Sequence, residues 1–395
     1  MAIGSGNVRR HPPLYYPLLR ALSRLGYDPF WPRLLSVVPT ILCVPLWYSL
    51  LRKLKVGVLT ALVSTVVLAS AYSFLHVGVL VRSYAITSFL LLTALWFWID
   101  LLPGSSDRPQ RRSAVLSLAL FSLAFGFLYA GAFATTAVFG ATLLVMAISG
   151  DARRAIVDNW RQHSRWPEWA AFFGFHLLIV GWFYIGWGHH VNDDVPAYLS
   201  AFSRNLEQSA TEFLIYATRL EIALFTPLAG YPDWLLDLGG AVIASTVVLL
   251  TVVYLRTGNT VRAVLMLTPM LLTTIFAALS IIGKFPFDGF LRHQYLLFPF
   301  LLLLLPLALD TLWRRFPNAW LQRIGLTLVL AIAITNAVQM QRSNPIPEAP
   351  PTETWAKTYE TLFAKQRDEP IFINAYMFFP SFMNRYPHGV WYQFS

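Results

Sequence analysis

An α-helical polytopic membrane protein of about ten transmembrane helices is the fold class this sequence predicts, on three observations. Of 395 residues, 56% are hydrophobic and only 13% charged, too little charge to cover a soluble domain of this size. The apolar residues fall into runs near the ~20 residues that cross a hydrocarbon layer. The basic residues, which give a formal net charge of +10, cluster in short loops between those runs. That pattern is an orientation signal, not a stripe for nucleic acid. Fourteen Trp and 17 Tyr suit two membrane–water boundaries. The single cysteine, Cys43, excludes disulfides within the chain and cysteine-based metal sites.

The candidate spans are 34–51, 56–75, 84–102, 113–129, 131–149, 169–188, 234–255, 261–283, 293–313 and 321–341. The stretch 113–149 is one long apolar run, split by the small residues around Gly131. Pro39, Pro45 and Pro269 lie inside spans, where neighbouring helices can satisfy the backbone groups they free. Loops 52–55, 105–112, 150–165, 256–262 and 313–316 are short and basic. The positive-inside rule puts them in the cytoplasm. The other side then receives an interfacial segment (1–33), Arg82, the loop 189–233, the loop 284–292 and a C-terminal segment (342–395). The transmembrane domain is 34–341. Arg9, Arg10, Arg20, Arg24 and Arg33 make the N-terminal tail costly to translocate unaided. The expectation is that a further span precedes it.

Three external segments are polar enough for chemistry. In HPPLYYPLLRALSRLG, Pro12 and Pro13 suit a first helical turn, and the apolar spacing fits a short helix lying in the interface. Tyr15 and Tyr16 then sit at headgroup depth; the plainer alternative is a simple anchor. In the loop 189–233, His189, His190, Asp193 and Asp194 resemble a loose metal set. Neighbouring histidines cannot share one helix face, so a polar cap is the preferred reading. In KFPFDGFLRHQYLLFPF, Lys284, Asp288, Arg292 and His293 stand at the mouth of an apolar helix, where paired cations make an anion site. Arg82 opens the third span on the same side. It reads either as a snorkelling side chain or as a further phosphate contact. The C-terminal segment reads as a Pro/Glu-rich linker, then a helix at TYETLFAKQRD and a strand start at PIFINAYMFFPSF. It is a short α/β-like segment, expected to be incomplete.

HPPLYYPLLRALSRLG, RLLSVVPTIL and VRSYAITSFLLLTALWF, in that order and at those distances, resemble the N-terminal half of GT-C glycosyltransferases of the protein-mannosyltransferase and aminoarabinose-transferase type. GKFPFDGFLRHQYLLFPFLLL is similar to a late Arg-His-x-Tyr segment of bacterial members. The likeness covers residues 7–100 well and 284–310 moderately. It implies a GT-C-like fold in a bacterial inner (plasma) membrane, and an enzyme moving a sugar from a polyprenyl-phosphate donor to a glycan, lipid or protein acceptor outside the cytoplasm. It implies Arg82 and Arg292 for the phosphate, with Lys284 the further cation of the anion site read above. His11, Tyr15, Tyr16, Tyr84, His293 and Tyr295 would shape the cavity. The resemblance fixes no cofactor, and a divalent metal is left open because the family has members with and without one.

The family's catalytic carboxylate lies upstream of the Pro-Pro pattern, and none of residues 1–10 is acidic; its second acidic position is Leu80 here. Asp288, sharing a loop with Arg292, is the preferred substitute base over Asp193, Asp194 and Glu221. Two other readings stand beside the enzyme. One is a non-catalytic or truncated relative acting as a lipid-binding or assembly subunit. The other is a transporter or flippase, which the absence of an internal repeat and of charged span midplanes disfavours.

Overall fold

The computed structural model describes residues 13–25, 30–78, 82–104, 111–188, 233–281, 295–315, 318–342, 372–373 and 392–393. In their described residues, all ten predicted stretches are mainly helical. An amphipathic α1 (Tyr15–Ser23) precedes α2 (Phe30–Lys53), α3 (Val58–Ser70), α4 (Tyr72–Gly78), α5 (Tyr84–Trp98), α6 (Arg111–Phe127) and α7 (Ala130–Ile148). Then follow α8 (Gly150–His163), α9 (Trp166–Gly188), α10 (Asp233–Arg256), α11 (Thr260–Ile281), α12 (Phe298–Leu302), α13 (Leu304–Arg315) and α14 (Ala319–Arg342). Beyond Arg342, the described residues are β1 (Phe372–Ile373), inside the predicted strand, paired parallel with β2 (Tyr392–Gln393).

Six segments among the described residues are long and apolar enough to span a bilayer: Trp31–Lys53, Tyr84–Leu101, Ala130–Ile148, Trp234–Arg256, Thr260–Ile281 and Tyr295–Arg315. Val58–Ser70 and Gln322–Thr335 are shorter apolar helices. Ile41, Leu143, Leu178, Leu249 and Leu328 are each more than half exposed. Helices that are apolar on their outward face as well as their inward one belong in lipid. The chain is therefore a multi-pass integral membrane protein.

Three details depart from the expected spans. The stretch 56–75 is broken at Ala71, whose extended backbone (ψ 138°) ends α3 and turns the chain into α4. The stretch 293–313 is a 3-10 turn (Tyr295–Leu297), α12 and α13 in succession, as Pro299 and Pro306 remove backbone donors along it. The basic loop 150–165 is mostly helix. Ser149 caps α8 by accepting from the Ala152 N–H at 3.2 Å, with Asp151 in the first turn and Arg161 and His163 in the last. Its inner face, Ala152 and Ile156, is buried. Asn159 donates to the Leu101 carbonyl at 3.3 Å, and Trp160 packs between Trp98 and Trp169 at 5.5 and 5.6 Å.

The split near Gly131 is found. The chain turns at Leu128–Tyr129 and α7 packs back on α6. A Cβ on Gly131 would lie 2.7 Å from the Ala124 carbonyl oxygen, so only glycine permits that approach. The core is aromatic: Trp47, Trp98, Phe121, Phe276, Phe298 and Phe300 are fully buried. The indoles of Trp47 and Trp98 donate to Ser64 and Thr142 hydroxyls at 3.2 and 3.3 Å, so neither buried N–H is stranded in apolar surroundings.

One end of the bundle carries the basic segments and is held by ion pairs. Arg262, 6% exposed, donates to Asp310 at 2.6 Å and to the Leu54 carbonyl at 3.1 Å. Arg314 donates to the same carboxylate at 3.0 Å and to the Lys55 carbonyl at 2.9 Å. Lys53 pairs with Asp100 at 2.8 Å, which also accepts from Ser113 at 2.9 Å. Arg111 pairs with Glu168 at 2.7 Å. These contacts, like those at the other end described next, join helix ends that an alternating up-and-down order puts on one side.

Candidate functional site

The opposite end of the bundle gathers α1, the start of α2, the start of α5 and the end of α6. Leu14, just before α1, donates its N–H to the Gly126 carbonyl at 3.1 Å. Its side chain lies over Gly126, where a Cβ would come within 2.5 Å of Leu14 Cδ1. The start of the interfacial helix is thus pinned to the end of α6. That pin drives Tyr15 inward: it is 2% exposed, while Tyr16 meets it edge-on at 5.4 Å between ring centroids.

The Tyr15 hydroxyl is buried with no hydrogen-bond partner among the described residues. Burial raises its pKa above the ordinary phenol range, Tyr16 adds to that, and the nearby Arg82 guanidinium acts in the opposite direction. Tyr15 and Arg82, 67 positions apart, are thus brought within electrostatic reach of each other. Arg82 is placed by its own backbone: its carbonyl accepts from the buried Ser36 hydroxyl at 3.1 Å. One residue on, the Ser83 carbonyl accepts from the Thr87 N–H at 3.0 Å and its hydroxyl at 2.7 Å. The first turn of α5 is thereby fixed against α2.

A cation beside a phenol that lacks an acceptor is an arrangement that can bind an oxyanion: guanidinium N–H and phenolic O–H both donate, and burial strengthens both bonds. Of the residues expected to form the site, the structure brings together Tyr15, Tyr16 and Arg82. Tyr84 lies half-buried two residues beyond Arg82 and packs against the core. Tyr295 is 1% exposed and stacks on Phe298 at 6.3 Å, within the aromatic core. His11, Lys284, Asp288, Arg292 and His293 lie outside the described residues, as do His189, His190, Asp193, Asp194 and Glu221. Among the described residues no three His, Cys, Asp or Glu side chains converge.

Sequence reasoning passed over some polar residues. His176 lies mid-way along α9, with its ring on Phe125 at 5.0 Å and Nδ1 bonded to the Phe172 carbonyl at 2.8 Å. Asp100 and Asp310 are two of the carboxylates of the basic end. The available signal was an ionisable residue inside or closing an apolar run, which is rare unless paired or used.

Six spans and the further helices between them define the class: a polytopic helical membrane protein. Its fold is similar to that in the crystal structure of ArnT from Cupriavidus metallidurans bound to undecaprenyl phosphate, in keeping with the GT-C-like fold expected from the sequence. It superposes with a TM-score of 0.51 over 82% of this chain and 54% of that one, at 17% identity. This chain thus spans about half the length of that protein, and at such identity the likeness is one of fold. No protein-family model matches the chain, and no curated protein sequence matches it.

Proposed function

We propose that this protein is a membrane glycosyltransferase that moves a sugar from a polyprenyl-phosphate donor to a glycan, lipid or protein acceptor at the non-cytoplasmic end of the bundle. The observation that carries the reading is the buried Tyr15 hydroxyl, without an acceptor among the described residues and within electrostatic reach of Arg82. It sits at the end away from the basic loops. The shared fold with a protein whose crystal structure holds undecaprenyl phosphate supports it. In a bacterial inner membrane the positive-inside rule turns that end outward.

The reaction is a displacement at the anomeric carbon. The acceptor oxygen forms a bond to C1 as the bond from C1 to the phosphate oxygen breaks, and the polyprenyl phosphate departs with the electron pair. Arg82 offsets the negative charge that develops on that phosphate, Arg292 and Lys284 are its partners, and Tyr15 donates to an oxygen. Asp288 takes the acceptor's proton. His11, Tyr16, Tyr84 and His293 shape the surrounding cavity, while Tyr295 lies in the aromatic core.

The test is sugar transfer from a polyprenyl-phosphate donor in detergent or vesicles. Arg82→Ala is expected to lower kcat/KM about 100-fold, the scale of losing one donor to developing charge. Asp288→Asn should abolish most turnover. An active preparation indifferent to both changes would overturn the assignment. A second reading has its own observation: Leu80 stands where the resemblance expects a carboxylate. On that reading the protein is a lipid-binding or assembly subunit; it would bind polyprenyl phosphate through Arg82 and show no turnover.

A further inference from the structure

Helix α14 has two unlike faces. Leu326 and Ala333 are buried, and Trp313 lies over Gly325, 3.7 Å from where a Cβ would stand. The outward face lines a groove of about 350 Å³ built from Trp320, Arg323, Ile324, Thr327 and Leu328. Trp320 is 67% and Leu328 59% exposed. The spacing i, i+3, i+4, i+7, i+8 makes this a single stripe along the helix.

The stripe has a polar head and an apolar bed. Arg323 is exposed and meets no carboxylate among the described residues. The carboxylate of this corner, Asp310, is 7% exposed and already shared by Arg262 and Arg314. It is not offered outward. Arg314 and Arg315 close the preceding helix as further exposed cations. The Thr327 hydroxyl donates to the Arg323 carbonyl at 2.8 Å, so outward donors come from the Arg323 guanidinium and the Trp320 indole. Five residues further along, about 7.5 Å at the helical rise, Leu328 continues the apolar part of the stripe below Ile324.

We infer that this stripe seats one anionic diacyl phospholipid of the leaflet at the basic end. The phosphate sits at Arg323, the Trp320 ring lies at headgroup depth, and an acyl chain runs along Ile324 and Leu328. An exposed guanidinium that meets no carboxylate among the described residues, as Arg323 does, favours an anionic headgroup over a zwitterionic one, and an amphipathic indole belongs at that boundary. The site lies at the opposite end of the bundle from Tyr15 and Arg82 and takes part in no catalytic step.

The experiment is native mass spectrometry of the full chain in detergent, titrated with phosphatidylglycerol or phosphatidylcholine bearing identical acyl chains. The wild-type protein should hold the first phosphatidylglycerol about five-fold more tightly, the scale of one Arg near an anionic surface. Arg323→Gln should remove that preference and Arg323→Lys keep most of it. Arg153→Gln, an exposed cation on α8 at the same end, should leave it unchanged. Trp320→Leu should weaken both lipids together. The inference is overturned if the wild type shows no preference, if Arg323→Gln retains it, or if Arg153→Gln loses as much.

Discussion

The two ends of the bundle treat polar groups in opposite ways. At the basic end, Arg262 and Asp310, each 8% exposed at the side chain, meet at 2.6 Å, and the carboxylate accepts a further bond from Arg314. At the other end, Tyr15 is sealed in with a hydroxyl that finds no partner among the described residues. Burying an unsatisfied hydroxyl costs on the order of 1–3 kcal/mol, a cost the rest of the fold has to offset. The difference separates a clasp, whose groups satisfy one another, from a site with one hydroxyl that no described residue satisfies.

The sharpest way to break this contrast is at the clasp. Asp310→Asn should cost about 3–5 kcal/mol, because it leaves Arg262 buried without its counter-charge. Thermal unfolding of the purified protein in detergent would read the loss as a lower midpoint. Arg154→Ala, at an ion pair largely exposed on both sides, should leave that midpoint in place. Unequal responses at the two pairs are the expected result.

Smaller effects sharpen the picture. Gly131→Ala forces a methyl against the Ala124 carbonyl and should cost about 1–3 kcal/mol, as overpacking does. Tyr15→Phe should go the other way, raising stability by about 1 kcal/mol because it removes a buried donor without a partner. The same variant should bind polyprenyl phosphate less tightly; a binding titration beside the melting curve separates the two. If Tyr15→Phe destabilised the protein instead, the hydroxyl would be serving the fold and the contrast between the ends would fail.

The smallest effect belongs to Lys55. Helix α2 ends with the Lys55 N–H bonded to the Arg52 carbonyl at 3.0 Å and the Val56 N–H to the Leu51 carbonyl at 3.1 Å, with Lys55 in the left-handed region at φ 59°. Helix α10 ends the same way on Gly258 at φ 68°. That is the terminus glycine suits best. Lys55→Gly should therefore add no more than about 1 kcal/mol of stability, read as a slightly higher melting midpoint.

Much of this architecture was legible in the chain because hydrophobic length and basic loops are one-dimensional signals. They locate the helices, divide them near Gly131 and assign their ends. The features that escaped depend on contacts between distant residues or on mixed patterns. Helix α8 carries Ala152, Ile156 and Trp160 at a four-residue spacing, yet its charges made it read as a loop. The break at Ala71 has no glycine or proline to announce it. The Arg262–Asp310 pair joins positions 48 apart, and nothing local names the partner. For the site, the ordered motifs placed Tyr15, Tyr16 and Arg82 on one side. The inward turn of Tyr15 required the pin between Leu14 and Gly126, which only tertiary packing reveals.

Helix α8 has a mechanical consequence. By bonding to Leu101 and wedging Trp160 between Trp98 and Trp169, it welds the feet of α5 and α9 into one block with α6 and α7. Any widening of the Tyr15 end must then swing that block as a rigid lever about its base, since its members cannot slide past one another there. Arg82 stands at the far tip of that lever, where the bond from Ser36 to its carbonyl ties the block to α2.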